Sequence, residues 1–224
     1  MSQEQSVYQS ELEVIYKNRF GSAEIYRNKV WKILIRHYFQ KYISPDACVL
    51  DLGCGFGQFI NNIECAQKFG MDLNPATKGK LAEDVTFLEQ DCSSYWEISD
   101  NTLDLVFTSN FFEHLFSKSN LTATISQAAR CLKPGGRIIA MGPNIKFIAG
   151  AYWDFYDHHL PLTELSVKEA LESAGLKTES IHNRFLPYTM VNAPEYPMFF
   201  LRMYLALPWM WKLLGKQFLV IATK

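Results

Sequence analysis

The segment Asp51-Leu-Gly-Cys-Gly-Phe-Gly57 places a carboxylate at the end of an apolar run and glycines at three alternate positions. Gly53, Gly55 and Gly57 remove side chains where the chain must turn sharply and where a polar ligand could lie against the backbone. A second carboxylate, Asp72, closes another apolar run 19 residues past Gly53 and suits the two hydroxyls of a ribose. His114, in Asn-Phe-Phe-Glu-His-Leu, is a candidate proton acceptor or substrate contact. His158 and His159 stand beside Asp154 and Asp157 in a stretch dense in aromatic and ionisable groups. Such a pair could supply a base with its orienting carboxylate, or a substrate contact. Adjacent histidines chelate one ion poorly, so no metal site is assigned. Each position also has a plain structural alternative: Asp91 can cap a turn, Cys92 can fill a core, His114 can bond to backbone, and the 151–160 loop can be packed by its own rings.

These residues need a scaffold that brings strand ends together, and the hydrophobic pattern supplies one. Short apolar runs predict strands at 47–52, 68–73, 85–89, 103–108 and 137–142, with two more at 176–185 and 217–223. Helical spacing appears at 29–43, where Ser44-Pro45 ends it, and at 120–132, closed by Lys133-Pro-Gly-Gly136. A short helix is expected at 58–65. Ser166-Val-Lys-Glu169 reads as a capping box, with Gly175 as the C-terminal signal of that helix. Alternating strands and helices predict a doubly wound, mostly parallel sheet covered on both faces. In such sheets a ligand lies beyond the carboxyl ends of the strands, where Asp51, Asp72, Asp91 and Asn110 all fall.

Several ligands fit a glycine loop, and spacing separates them. A dinucleotide fingerprint wants a third glycine where this chain has Gln58, and no G-K-[ST] ending marks a P-loop. Five motifs in order resemble the class I S-adenosylmethionine-dependent methyltransferases of the broad small-molecule, UbiE-like type. They are Val49–Gly57, Gly70-Met-Asp-Leu-Asn-Pro75, Glu89-Gln-Asp-Cys92, the Leu103–Asn110 run with its Phe-Phe-Glu-His-Leu continuation, and Leu132-Lys-Pro-Gly-Gly-Arg137. The resemblance implies a single Rossmann-like α/β domain with a seven-stranded sheet whose last strand is antiparallel. It implies S-adenosylmethionine as cofactor, bound through Asp51, Gly53, Cys54, Gly55, Gly57, Asp72, Leu73, Asp91, Cys92 and Asn110. In that pattern Asp51 and the Gly53 backbone lie near the methionine end, Asp72 holds the ribose, and Leu73 packs on the adenine. Asp91 and the Cys92 backbone then serve the adenine side. A site lined by carboxylates suits the cofactor's ammonium and sulfonium better than it suits a pyrophosphate.

With 224 residues, a 48% hydrophobic fraction and a net charge of −1, the chain fits one large domain and carries no basic footprint for nucleic acid. The expected layout is an N-terminal helical cap over 1–45 and a methyltransferase domain over 46–224, with 186–214 as a hydrophobic lid. The five cysteines are odd in number and form no C-x-x-C pair, which predicts reduced thiols in a cytoplasmic protein. Met1–Ser10 lacks the apolar core of a signal peptide. Pro194, Pro197 and Pro208 interrupt the apolar 193–214 segment, together with Arg202 and Lys212. The breaks favour a lid, a homodimer surface or a peripheral membrane contact over a membrane-spanning helix. The expected activity is methyl transfer by in-line displacement to a small-molecule, sugar or lipid-type acceptor, as in bacterial cell-surface or natural-product pathways. The alternatives are an NAD-dependent oxidoreductase and a non-catalytic cofactor-binding regulator.

Overall fold

The computed structural model describes residues 24–188 and 195–224. The first half of the expected N-terminal cap, with Met1–Ser10, and residues 189–194 of the expected lid lie outside the described residues. Seven strands form one sheet: β1 (Cys48–Leu52), β2 (Gln67–Asp72), β3 (Val85–Glu89), β4 (Leu103–Ser109), β5 (Leu132–Pro143), β6 (Lys177–His182) and β7 (Gln217–Thr223). Their order is β3-β2-β1-β4-β5-β7-β6. The first five are parallel, and β7 runs antiparallel to β5 and β6. This is the expected Rossmann-like α/β sheet, with its one reversed strand last in sequence.

Alternation along each strand divides the interior into two cores, because successive side chains point to opposite faces. On one face Leu50, Leu52, Val106, Ile138, Ala140, Phe218 and Val220 pack with Trp96 and with helices α2 (Lys118–Cys131) and α4 (Glu164–Ser173). On the other face Val49, Leu105, Phe107, Ile139, Met141, Leu219 and Ile221 pack under α1 (Glu24–Leu34) and the helical turns that extend it to Tyr42. The central strand β1 is buried at every position, as a two-sided parallel strand must be. Edge strand β6 alternates exposed and half-buried residues, and Arg137 covers it by pairing with Glu179 at 2.9 Å.

Three local expectations shift. No full helix follows the glycine loop; only a 3-10 turn forms at Ile60–Asn62. The side chains there bond to backbone elsewhere: Asn62 Nδ2 donates to the Gln58 carbonyl at 2.8 Å, and Asn61 Nδ2 donates to the Lys80 carbonyl at 2.9 Å. Such bonds compete with helix propagation. Helix α4 begins three residues early, because Thr163 rather than Ser166 is the N-cap. The Ser166 N–H donates to Thr163 Oγ1 at 3.2 Å, and the Thr163 N–H donates to Ser166 Oγ at 2.9 Å. The Lys133–Gly136 turn is incorporated into β5 as a bulge opposite Asp104, whose carboxylate holds Lys133 at 2.7 Å.

The apolar C-terminal segment forms α5 (Met198–Ala206) and α6 (Pro208–Leu214), preceding β7; a short α3 (Ile145–Ile148) follows β5. Tyr204, Leu205 and Trp211 are buried with α1 and Phe185 in the second core. Trp211 Nε1 donates to the Tyr204 carbonyl at 2.8 Å, joining the two helices. Tyr204, Leu205 and Trp211 tie the segment to the second core, while Phe199, Phe200, Trp209, Leu213 and Leu214 remain exposed.

Phe107 lies at the centre of an aromatic cluster: it stacks on Phe59 at 3.7 Å and meets Trp31 and Phe39 edge-on at 5.9 and 5.1 Å. It is fully buried. Phe107→Ala is expected to cost about 3–5 kcal/mol of stability. A urea midpoint lowered at unchanged slope would report it; a loss under about 1 kcal/mol would show that this cluster is not central to the fold.

Candidate active site

The sheet order reverses direction at β1, whose neighbours β2 and β4 lead away to opposite sides. A cavity of about 810 Å³ opens beyond the carboxyl ends of these strands. Its walls are Asp51–Phe56 at the end of β1 and beyond it, Met71–Leu73 at the end of β2, Gln90–Ser93, Ser109–Phe111 and Glu113–Phe116 at the end of β4 and beyond it, and part of the 151–158 loop after β5. Leu186 and Tyr188, at the near end of the expected lid, line it too.

The glycine loop is held by backbone. Gly53 and Cys54 N–H donate to the Met71 carbonyl at 2.9 and 3.1 Å, and Gly57 N–H returns to the Cys54 carbonyl at 2.9 Å. Gly53, Gly55 and Gly57 have φ of +70°, +51° and +72°, a region open to glycine at little cost. At Gly53 a Cβ would meet the Phe111 ring at 2.3 Å. Gly57 points instead at Asn61 and Leu81, so its role is the turn rather than the cavity wall.

Asp72 joins loop to strand. Its Oδ2 accepts the Gly55 N–H at 2.8 Å and its Oδ1 accepts the Asn74 N–H at 2.9 Å. Burial nevertheless raises its pKa, more than these backbone bonds lower it. Asp51, only 4% exposed, is pushed up to about 8 by burial, against an opposing bond from Ile60 and with help from the nearby Asp72 charge. Among the described residues the cavity wall holds six carboxyl groups (Asp51, Asp72, Asp91, Glu113, Asp154, Asp157) against one guanidinium, that of Arg27. Four of these, Asp51, Asp72, Glu113 and Asp157, are buried, and buried carboxyls favour a cationic ligand, since a cation offsets the cost of ionising them.

Leu73, Cys54, Asp91, Cys92 and Asn110 all line the cavity. Asp91 Oδ1 also accepts the Ser93 N–H and hydroxyl, both at 2.8 Å, so it caps a turn as well. Burial pushes the Cys92 thiol up to about 12 and the Cys54 thiol well above its ordinary value, so both stay protonated and neither is a nucleophile. Asn110 holds the unusual φ of +50° at the turn out of β4, with its N–H bonded to the Met141 carbonyl at 2.8 Å.

The histidines divide. His114 and His158 both reach the cavity, with ring centroids 5.0 Å apart. His114 Nδ1 lies 3.2 Å from Asp157 Oδ2 and 3.0 Å from the Asp157 carbonyl. Burial works against its imidazolium, but the Asp157 bond and the Glu113 and Asp157 charges outweigh it, and its pKa is raised. His159 is exposed, packs on Phe116 at 4.8 Å and is not part of the cavity wall. The residue overlooked in the sequence is Glu113. It is 2% exposed, and burial raises its pKa to about 7 while His114 pulls it back. Its one signal was its place beside His114 in the loop after β4.

A family model described as a methyltransferase domain matches residues 50–140. An uncharacterized protein of Methanocaldococcus jannaschii is 32% identical over 160 residues, 67% of this chain and 64% of that relative. The chain thus spans slightly less than two thirds of the curated relative it matches. Among solved structures, a SAM-dependent methyltransferase of Archaeoglobus fulgidus superposes with TM-score 0.68 at 22% identity, covering 92% of this chain and 99% of the other. A Haloferax volcanii methyltransferase, solved with the Trm112 methyltransferase activator, gives TM-score 0.71 at 18% identity and 96% coverage of both chains. These likenesses carry the fold. With the family model, they liken residues 50–140 to a methyltransferase domain set in a Rossmann-like methyltransferase fold.

Proposed function

We propose that this protein transfers the methyl group of S-adenosylmethionine to a small-molecule, sugar or lipid-type acceptor. The observation that carries the reading is the glycine loop pinned by Asp72 at the mouth of a cavity whose described lining holds six carboxyl groups against one guanidinium and two imidazoles. In this reading the ribose takes acceptor positions left on Asp72, the ammonium lies near Asp51, and the adenine packs on Leu73 beside Asp91 and Cys92. The methyl group then faces the loops after β4 and β5, where His114 and His158 contact the acceptor. The acceptor nucleophile forms its bond to the methyl carbon as the carbon–sulfur bond breaks, and S-adenosylhomocysteine leaves with the electron pair. The leaving group is already good, so the protein's work is to hold the two in line and exclude water. Production of S-adenosylhomocysteine across a panel of hydroxyl, amine and prenyl-linked acceptors tests this. None from any acceptor, by protein that binds the cofactor, would favour a non-catalytic binding role.

Cofactor binding is expected to release a proton. At pH 7 Asp51, with its pKa near 8, is mostly protonated in the empty cavity. A ligand ammonium favours the ionised form, so affinity should rise with pH from about 6 to 8, approaching tenfold per unit at the lower end. Titration calorimetry at pH 6.5 in two buffers of different ionisation enthalpy reads the released proton directly. Identical heats in both buffers would remove Asp51 from the cofactor site.

The lipid-type acceptor has its own support. Phe199, Phe200, Trp209, Leu213 and Leu214 are exposed on α5 and α6, with Arg202 and Lys212 among them. Among the described residues no helix is long and apolar enough to cross a membrane. Aromatic and aliphatic groups mixed with cations suit an interfacial contact instead. Sedimentation with anionic liposomes should carry wild-type protein down and leave a Phe199→Ser/Trp209→Ser variant in solution. Wild-type protein wholly in the supernatant would remove the membrane contact from the account.

A further inference from the structure

The loops after β4 and β5 bring together three side chains of metal-ligating type. Glu113, His114 and His158 each offer one donor atom, and the three donors lie within 4.8 Å of one another. Glu113 and His158 are buried, 2% and 6% exposed, and His114 is partly open to the cavity at 24% for its side chain. All three line the cavity wall. We propose that Glu113, His114 and His158 form a binding site for a divalent transition-metal cation, with Asp157 as the carboxylate that orients His114.

Three features of the cluster support this. The donor set, two imidazoles and one carboxylate, suits first-row divalent ions. The spacing is close to what one ion needs: donors about 2.1 Å from a common centre stand up to about 4.2 Å apart, so small side-chain rotations would close the set. The surroundings of His114 add a separate observation. Its Nδ1 is committed to Asp157, at 3.2 Å from Oδ2 and 3.0 Å from the carbonyl, which leaves Nε2 as the ligand nitrogen. Metal-binding histidines characteristically give their other ring nitrogen to a carboxylate or carbonyl in this way. A cation would also compensate the buried Glu113 carboxylate, which among the described residues has no lysine or arginine ion pair. Three protein ligands leave coordination positions open towards the cavity, where an acceptor oxygen could bind. The adjacent histidine pair is not the chelate: His159 turns away to Phe116 and only His158 joins the cluster.

The test is a Co²⁺ titration of the whole, tag-free chain without cofactor, read by visible absorption. Wild-type protein should take up one Co²⁺ per chain with the weak bands of five- or six-coordinate cobalt. Glu113→Gln and His158→Ala should each weaken binding by about 100-fold, with circular dichroism and S-adenosylmethionine affinity within about threefold of wild type showing that fold and cofactor site remain. His159→Ala should bind Co²⁺ as wild type does. No Co²⁺ uptake by wild type, undiminished uptake by folded His158→Ala, or equal loss in His159→Ala would each overturn the proposal. Because cobalt binding is read without the methyl donor, its failure and a failure of methyl transfer are separate results.

Discussion

Asp72→Ala is expected to weaken S-adenosylmethionine binding by about 100-fold or more. Two contributions add. The carboxylate is the proposed partner of the ribose hydroxyls, and a charge-assisted hydrogen bond contributes about 1.5–3 kcal/mol. It also accepts the Gly55 and Asn74 N–H groups at 2.8 and 2.9 Å, so its loss releases the glycine loop from the end of β2. Asp72→Asn separates the two: the amide oxygen can keep one backbone bond, and the charge is gone, so a smaller loss of about tenfold is expected. Titration calorimetry gives both affinities, with thermal melts to confirm folding. A folded Asp72→Ala protein that binds within threefold of wild type would end the ribose assignment.

Gly53→Ala has the second large effect. At φ +70° a Cβ carries a penalty of roughly 1–2 kcal/mol, and here it would also meet the Phe111 ring at 2.3 Å. Phe111 must move, and it lines the same cavity. The variant should lose stability by at least about 2 kcal/mol and bind S-adenosylmethionine at least tenfold more weakly. A double variant, Gly53→Ala/Phe111→Ala, should recover part of the affinity lost by Gly53→Ala alone, because it removes the clash and leaves only the backbone strain. If Gly53→Ala melts and binds like wild type, the close approach of loop and ring has no consequence for the site.

The parts of this molecule that short segments encode were legible in its sequence. Strand β1, the glycine loop and Asp72 are written in local runs, and the sheet followed from their alternation with helices. What was lost depended on partners far along the chain. Asp157 pairs with His114 across 43 positions, and only the folded loops show that. His158 and His159 are equivalent in a sequence, yet one turn of backbone sends them to opposite environments. Glu113 carries no motif of its own and acquires meaning only when His158 arrives from the loop after β5. The 58–65 helix failed for a similar reason, since Asn61 bonds to Lys80, 19 positions away. The apolar C-terminal segment was read as a lid because its composition is that of a surface cover. Its helix α5 packs on α1 near the other end of the chain, Trp211 of α6 meets Tyr38 edge-on at 5.7 Å, and the Tyr196 N–H reaches Tyr26 Oη across 170 positions at 3.0 Å.

The central claim is that the acidic cavity beyond β1 and β2 holds S-adenosylmethionine. Titration calorimetry of the whole chain with S-adenosylmethionine, S-adenosylhomocysteine and NAD⁺ in parallel tests it most directly. The account predicts one site per chain for the first two, in competition with each other and with dissociation constants on the order of micromolar, and no heat from NAD⁺. Micromolar NAD⁺ binding with no response to S-adenosylmethionine would contradict it.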